Sequence, residues 1–174
     1  MTNYLLDRGH KNIGFVGTIL MTPSIDDRFF GYLKALMERG IKYRADWIID
    51  DRDNIYGKMN YDRQFILPKE IPTAFFCNCD KAASLIIRKL EEAGYSVPGD
   101  VSVVGFDNFE YDQEADIGIT TYEINIGEMA KRAVHIMLHK MQNALYSAGV
   151  FSIQGKIIER ESVKKIGKSV PYAK

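Results

Sequence analysis

The sequence predicts an α/β protein, a parallel sheet with helices on both faces, and three observations carry that expectation. Short β-branched and aromatic runs with little polar alternation, such as Val101-Ser102-Val103-Val104-Gly105-Phe106, read as strands covered on both faces. Stretches of a dozen or so residues with apolar side chains at helical spacing separate those runs, the pattern of strand–helix–strand crossovers. Polar residues then appear abruptly where a run ends, Asp107-Asn108 most clearly. In open parallel sheets that carboxyl edge is where ligands bind.

Taken in order, Thr2 is a candidate cap for a short helix through Arg8, stopped by Gly9. Asn12 to Gly17 reads as a buried strand, and Thr18 to Ser24 as a polar loop. Ser24 is the expected N-cap of a helix whose Asp26 and Asp27 suit the positive end of the helix dipole. Phe29, Leu33, Leu36 and Met37 form its apolar stripe, and Gly40 ends it. Trp47-Ile48-Ile49 is a second strand, Asp50 to Tyr56 its exit loop, and Gly57 to Leu67 a weaker helix stopped by Pro68. Thr73 to Cys77 is a third strand. Asp80 is the expected cap of a strong amphipathic helix, Lys81 to Ala93, with Ala83, Ile86, Ile87 and Leu90 on one stripe. Pro98-Gly99-Asp100 supplies the turn into the fourth strand. Beyond Asp107 the pattern changes. Phe109 to Gly118 is irregular, Ile119 to Tyr122 a short extended piece, Ile126 to Met141 a helix and Ile153 to Val163 a final strand. The last residues, Lys168 to Lys174, have little to bury and are expected to fray.

Composition narrows the function classes. The 174 residues are 46% apolar and 26% charged, ordinary for a globular protein with a real core. The 23 basic and 23 acidic side chains cancel, which argues against strong nucleic-acid binding by this chain alone. No apolar run approaches the ~20 residues that span a bilayer. No signal peptide is visible at Met1 to Asp7, and Cys77 and Cys79 form no CxxC, so a cytoplasmic location with reduced thiols is expected. There is no Gly-x-Ser-x-Gly elbow, P-loop or Gly-x-Gly-x-x-Gly, so neither an enzyme nor a cofactor is expected. His135 and His139 stand four apart on a helix, but no third ligand lies near them in sequence, so no metal site is expected. Acidic pairs such as Asp50-Asp51 and Glu91-Glu92 read as solvated surface.

Several segments together resemble the effector-binding domain of the lac and gal repressor family of bacterial transcription regulators. They are Arg8-Gly9-His10 leading into Ile13-Gly14-Phe15-Val16-Gly17, Asp27-Arg28-Phe29-Phe30-Gly31-Tyr32, and Pro72 to Cys77 before Asp80. Val97-Pro98-Gly99-Asp100 through Gly105-Phe106-Asp107 is the most specific; Thr120-Thr121, Met129-Ala130 and Glu159-Arg160-Glu161-Ser162 complete the set. The resemblance implies a lobe of periplasmic-binding-protein-like type within a two-lobed sensor. A sugar or related small metabolite would bridge the two lobes, and a helix-turn-helix head would contact operator DNA. It assigns residues 1–118 to the C-terminal lobe, 119–163 to a crossover, helix and strand belonging to the N-terminal lobe, and 164–174 to a frayed tail. No helix-turn-helix precedes Tyr4, so operator DNA would be reached only through a segment this sequence lacks, and the chain is expected to be a fragment. A homodimer is implied, with the helix from Lys81 and the loop from Phe109, including Tyr111, near its interface. A transport-type sugar-binding protein of the same fold is the alternative.

The candidate ligand-binding residues follow from the carboxyl edge and the resemblance together. Arg28 reads either as an exposed ion partner or as a guanidinium fork for ligand hydroxyls, and the family's sugar-contacting arginine falls here. Asp107 reads either as a turn residue or as the family's ligand-binding aspartate, whose two oxygens suit vicinal hydroxyls. Asn78 and Cys79 stand where relatives carry a ligand-contacting Asn before Asp, with the thiol in the Asn position. Ser24 and Thr22 match polar positions of the ligand loop, and Tyr56 reads either as an ordinary loop tyrosine, the favoured reading, or as a ring that stacks on a sugar. Ile124 stands where many relatives carry a ligand-contacting Gln.

Overall fold

The computed structural model describes residues 1–53, 55–59, 63–109, 116–143 and 145–173. Strands β1 (Ile13–Val16), β2 (Ile48–Ile49), β3 (Ala74–Cys77) and β4 (Ser102–Val104) form one parallel sheet in the order β2-β1-β3-β4. Val16 is in register with both Ile49 and Cys77, so three strands end level at one edge. The chain runs from β1 to β2 on one side and then returns to place β3 on the other. The order therefore reverses between β1 and β3, and the loops leaving those two strands diverge and open a crevice.

Alternation along the strands sorts side chains to two cores. Ile13 and Phe15 of β1, Ala74 and Phe76 of β3 and Val104 of β4 face helices α1 (Thr2–Asp7) and α2 (Pro23–Glu38). Val16, Phe75, Cys77 and Val103 face helix α3 (Asp80–Glu92), whose Ala82, Ala83, Ile86, Ile87 and Leu90 are fully buried. Both faces are thus covered, which explains the near-continuous apolar strands. The first core is aromatic: the Phe15 ring meets Phe29 at 5.3 Å and Phe76 at 5.5 Å, both edge to face. The Tyr32 hydroxyl donates to the Ile13 carbonyl at 2.8 Å, satisfying a phenol that is completely buried.

The remaining elements form a smaller unit. Strand β5 (Thr121–Glu123) pairs antiparallel with β6 (Lys156–Ile158), and helix α4 (Ile126–Gln142) lies between them in sequence with no buried residue. The Asn125 side chain caps α4 by accepting from the Glu128 amide at 3.0 Å. Ser162 stitches this unit to the sheet, its hydroxyl donating to the Val103 carbonyl and accepting from the Thr120 amide.

Several expectations are corrected. Thr2 is the first residue of α1, buried and without a capping bond; Met1 is the cap. Helix α2 is capped by Thr22, which accepts from the Ile25 amide, and Pro23 opens it, so Ser24 lies inside the helix. Met37 lies outside the buried stripe, 74% exposed. No helix is present among the described residues of 57–67. Phe65 instead turns into the core with a positive φ of 56°, a value no right-handed helix contains, while Ile66 faces out. Helix α3 is capped by Cys79 without a side-chain bond, and Asp80 opens it. The tail, 164–174, does not fray over its described length. Val170 is buried against the α1–α2 core, its amide donates to Leu6, and its carbonyl accepts from Arg39. One well-placed valine and four backbone bonds, from Ile166, Gly167, Val170 and Ala173, hold a stretch whose composition is polar.

His10 ties that tail to the sheet and makes stability pH-dependent. The ring is completely buried, its Nε2 lies 3.0 Å from the Lys164 carbonyl and its Nδ1 3.1 Å from the Thr73 hydroxyl. A carbonyl only accepts, so Nε2 carries the proton that is donated to Lys164. Burial pushes the imidazole below its ordinary value, outweighing the Lys164 bond. The unfolded chain therefore binds a proton more readily than the folded one. The contribution is complete above the unfolded value of 6.5 and is lost as pH falls below it. Urea midpoints should decline between pH 7 and 5 in the wild type, and His10→Gln should flatten that decline.

Candidate functional site

A cavity of about 500 Å³ opens at the carboxyl edge of the sheet, at the crevice where the strand order reverses. Its lining comes from the ends of all four strands: Thr22, Ser24, Ile25 and Arg28 after β1, Arg52 and Met59 after β2, Asn78, Cys79 and Lys81 after β3, and Asp107 after β4. Five of the six residues proposed from sequence, Arg28, Asp107, Asn78, Ser24 and Cys79, thus share one cavity. Tyr56 does not line it and stands 78% exposed on its loop.

Arg28 is the hub. It sits in the second turn of α2, and its Nη2 donates to Asp107 Oδ1 at 3.1 Å while Nη1 donates to the Asn78 carbonyl at 2.8 Å. The guanidinium lies 4.0 Å over the Phe106 ring, a cation–π contact that fixes its plane. Both charged side chains remain partly open, 19% for Arg28 and 26% for Asp107, so a ligand can reach them. Burial pushes the Asp107 carboxyl up, and the nearby Arg28 charge only partly offsets this, leaving it above the ordinary carboxylate value.

A second network stiffens the floor. Asp51, which sequence reasoning placed on the surface, is completely buried. Its carboxylate accepts from Arg52 twice (3.0 and 2.7 Å), from the Thr18 amide (2.9 Å) and from the Asn78 Nδ2 (3.1 Å). Burial alone would raise its pKa, but the bonds from Arg52, Thr18 and Asn78 prevail and hold it below the ordinary value. This bond fixes the Asn78 amide so that Oδ1 is the remaining acceptor, buried and without a partner among the described residues. Cys79 is nearly buried, and burial pushes its thiol up to about 11, so it stays a neutral, weakly polar wall. The Thr22 and Ser24 hydroxyls lie 3.1 Å apart. Arg52, Ile25, Met59 and Lys81 went unread in the sequence as wall residues. The signal for Arg52 was present, since it follows β2 as Asp107 follows β4. The lining offers hydrogen-bonding groups, and among its described residues there is no nucleophile–base pair. Among the described residues no group of three or more His, Cys, Asp or Glu is arranged to hold a metal ion, and the His135 and His139 rings contact each other on α4.

These features define a parallel-sheet lobe with a polar crevice at its carboxyl edge, and comparison with known proteins places it. A family model described as periplasmic binding protein-like domain matches residues 2–163, and the chain belongs to that family. The relatives that the chain is similar to are named as transcriptional regulators. The chain is 30% identical over 165 residues to the HTH-type transcriptional repressor PurR of Photobacterium profundum, covering 95% of this chain and 49% of that protein. A LacI-type transcription regulator from Bifidobacterium animalis subsp. lactis superposes with a TM-score of 0.76 at 27% identity, over 94% of this chain and 62% of that one. A LacI family regulator from Enterococcus faecium, solved with bound ribose, shares the fold at a TM-score of 0.74 and 23% identity, over 95% and 61%. The chain spans about half the length of the curated relatives it matches. Among the described residues no helix is long and apolar enough to cross a membrane.

Proposed function

We propose that this chain is the effector-sensing part of a DNA-binding transcriptional regulator of the lac and gal type. The observation that carries the reading is the convergence of Arg28, Asn78 and Asp107, from three separate strand ends, on one cavity at the reversal of strand order. The chemistry favours a sugar or related small metabolite. Asp107 offers a carboxylate to hydroxyls and Arg28 a planar donor fork, with Asn78 holding Arg28 through its carbonyl. The ribose in the Enterococcus faecium relative supports that class. Effector bound between this lobe and a companion lobe favours the closed arrangement by its differential affinity, and the DNA-binding heads respond to that shift. The open apolar side of α4, with Met137, Leu138 and Met141 exposed, is suited to packing on the companion lobe. The relatives are transcriptional regulators, which favours this reading over a transport-type sugar-binding protein.

Association into a homodimer through α3 and the loop after Asp107 belongs to the same reading. Phe109 is 57% exposed, whereas Tyr111 lies outside the described residues. The test of the sensing role is a thermal-shift screen of this chain with neutral sugars, sugar phosphates and nucleobases. A saturable rise in the wild type that disappears in Arg28→Ala supports the proposal; a ligand equally effective on both contradicts it. A separate expectation concerns DNA. With 23 basic and 23 acidic side chains, this chain should bind duplex DNA no better than any neutral globular protein. Salt-dependent binding below about 1 µM in a fluorescence-anisotropy titration would refute that.

A further inference from the structure

We propose that Asp80 is a positioning residue that locks the turn carrying Asp107 to the crossover strand β5, so that the cavity wall and the crossover move together. The carboxylate of Asp80 is nearly buried and is bonded by two separate segments. The Thr121 hydroxyl on β5 donates to Oδ1 at 2.6 Å, and the Phe109 amide beyond the turn donates to Oδ2 at 2.9 Å. Its own amide donates to the Phe106 carbonyl at 2.9 Å, so Asp80 grips the turn on both sides of Asp107.

The turn needs such a grip. Asp107 and Asn108 have φ values of 102° and 51°, a left-handed region that side chains with a Cβ disfavour, and two in succession require outside support. Further support comes from the same crossover, where the Thr121 hydroxyl also accepts from the Asn108 amide at 3.3 Å, and from Arg160, which donates to Asn108 Oδ1 at 2.7 Å. The Gly105 amide donates to Thr120, the Asp107 amide to Tyr122, and the Asn108 side chain to Glu123. Gly105 leaves the space that Asp80 fills, because a Cβ there would overlap Asp80 Oδ1. No other carboxylate on α3 can do this, since only the residue opening the helix at the end of β3 faces both segments. The role also explains why Asp80 is not the helix cap: its oxygens are engaged elsewhere.

Only the consequence for ligand binding rests on reading Asp107 as a ligand contact; the lock itself is tested without ligand. The experiment is amide-resolved NMR with hydrogen exchange on this chain, wild type against Thr121→Val, Thr121→Ser and Asp80→Asn. In the wild type the Phe109 amide should resonate downfield and be as protected as amides of β3. Thr121→Val removes the hydroxyl and keeps the shape. It should shift the Asp107, Asn108 and Phe109 amides as well as those of 120–123, and speed Phe109 exchange by roughly tenfold or more. The amides of β1 and β2 should stay in place, and Thr121→Ser should restore the wild-type pattern. Asp80→Asn should displace the same set, and combining it with Thr121→Val should add little. An unprotected Phe109 amide in the wild type, or Asp107–Phe109 amides unmoved in Thr121→Val, would overturn the proposal. A uniform loss of protection across the sheet would overturn it too, since that marks a merely structural role.

Discussion

Asp51→Ala should be the most destabilising substitution at the carboxyl edge, by about 3 kcal/mol, because it breaks a buried ion pair from one side. Four donor groups converge on this carboxylate: two from Arg52, the Thr18 amide and the Asn78 amide. Alanine strands all of them. The Thr18 and Asn78 groups are buried and cannot turn to water, whereas Arg52 is 19% exposed and recovers part of its solvation. That recovery places the cost near the lower end of the range for such pairs. A urea titration at pH 7 should show the midpoint falling by more than about 1 M with an unchanged slope. Asp51→Asn, which keeps one acceptor, should fall less. The sign with pH follows from the lowered carboxyl. The folded state holds its proton less tightly than the unfolded chain, so the contribution is present above the ordinary carboxylate value and disappears as pH drops through the folded one. The acid limb of the wild-type stability curve should therefore be steeper than that of Asp51→Ala.

Arg28→Ala should instead cost little in folding and much in binding. Its side chain is partly open, and the Asp107 carboxylate, 26% exposed, is left with water as a partner once it is gone. Surface-like ion pairs of this kind contribute roughly 0–1 kcal/mol to stability. A charge-assisted bond to an effector is worth about 1.5–3 kcal/mol, or roughly ten- to a hundredfold in affinity. Asp107→Ala should behave alike, with a further loss if ligand hydroxyls use both its oxygens. The two losses should not add, since each residue orients the other across 3.1 Å.

The sheet was legible because its signals are local and redundant. Four apolar runs, each followed by a polar exit, could hardly be arranged otherwise, and the carboxyl-edge rule then pointed to Arg28 and Asp107. Positions whose role depends on distant partners were read less well. Asp51 looks like half of a solvated acidic pair. Only the approach of Thr18 and Asn78 across the sheet makes it a buried anchor. Asp80 stands where a cap is expected, yet its oxygens are claimed by Thr121 and Phe109, 41 and 29 positions away. Ser24 lost the cap to Thr22 because Pro23 fits the first helical position, a signal that was present and underweighted. Residues 57–67 carried apolar residues without a sustained period. The tail gave no pattern at all, since its docking depends on Val170 packing into the core that α1 and α2 share.

The central claim is that Arg28 and Asp107 together hold an effector at the reversal point of the sheet. The most direct measurement is a calorimetric titration of the full-length regulator with the ligand found in the thermal-shift screen, comparing wild type, Arg28→Ala and Asp107→Ala. Circular dichroism would verify that each variant is folded. The account predicts that each variant weakens binding by about ten- to a hundredfold with an unchanged fold. Wild-type affinity in both folded variants would contradict it and remove these residues from the site.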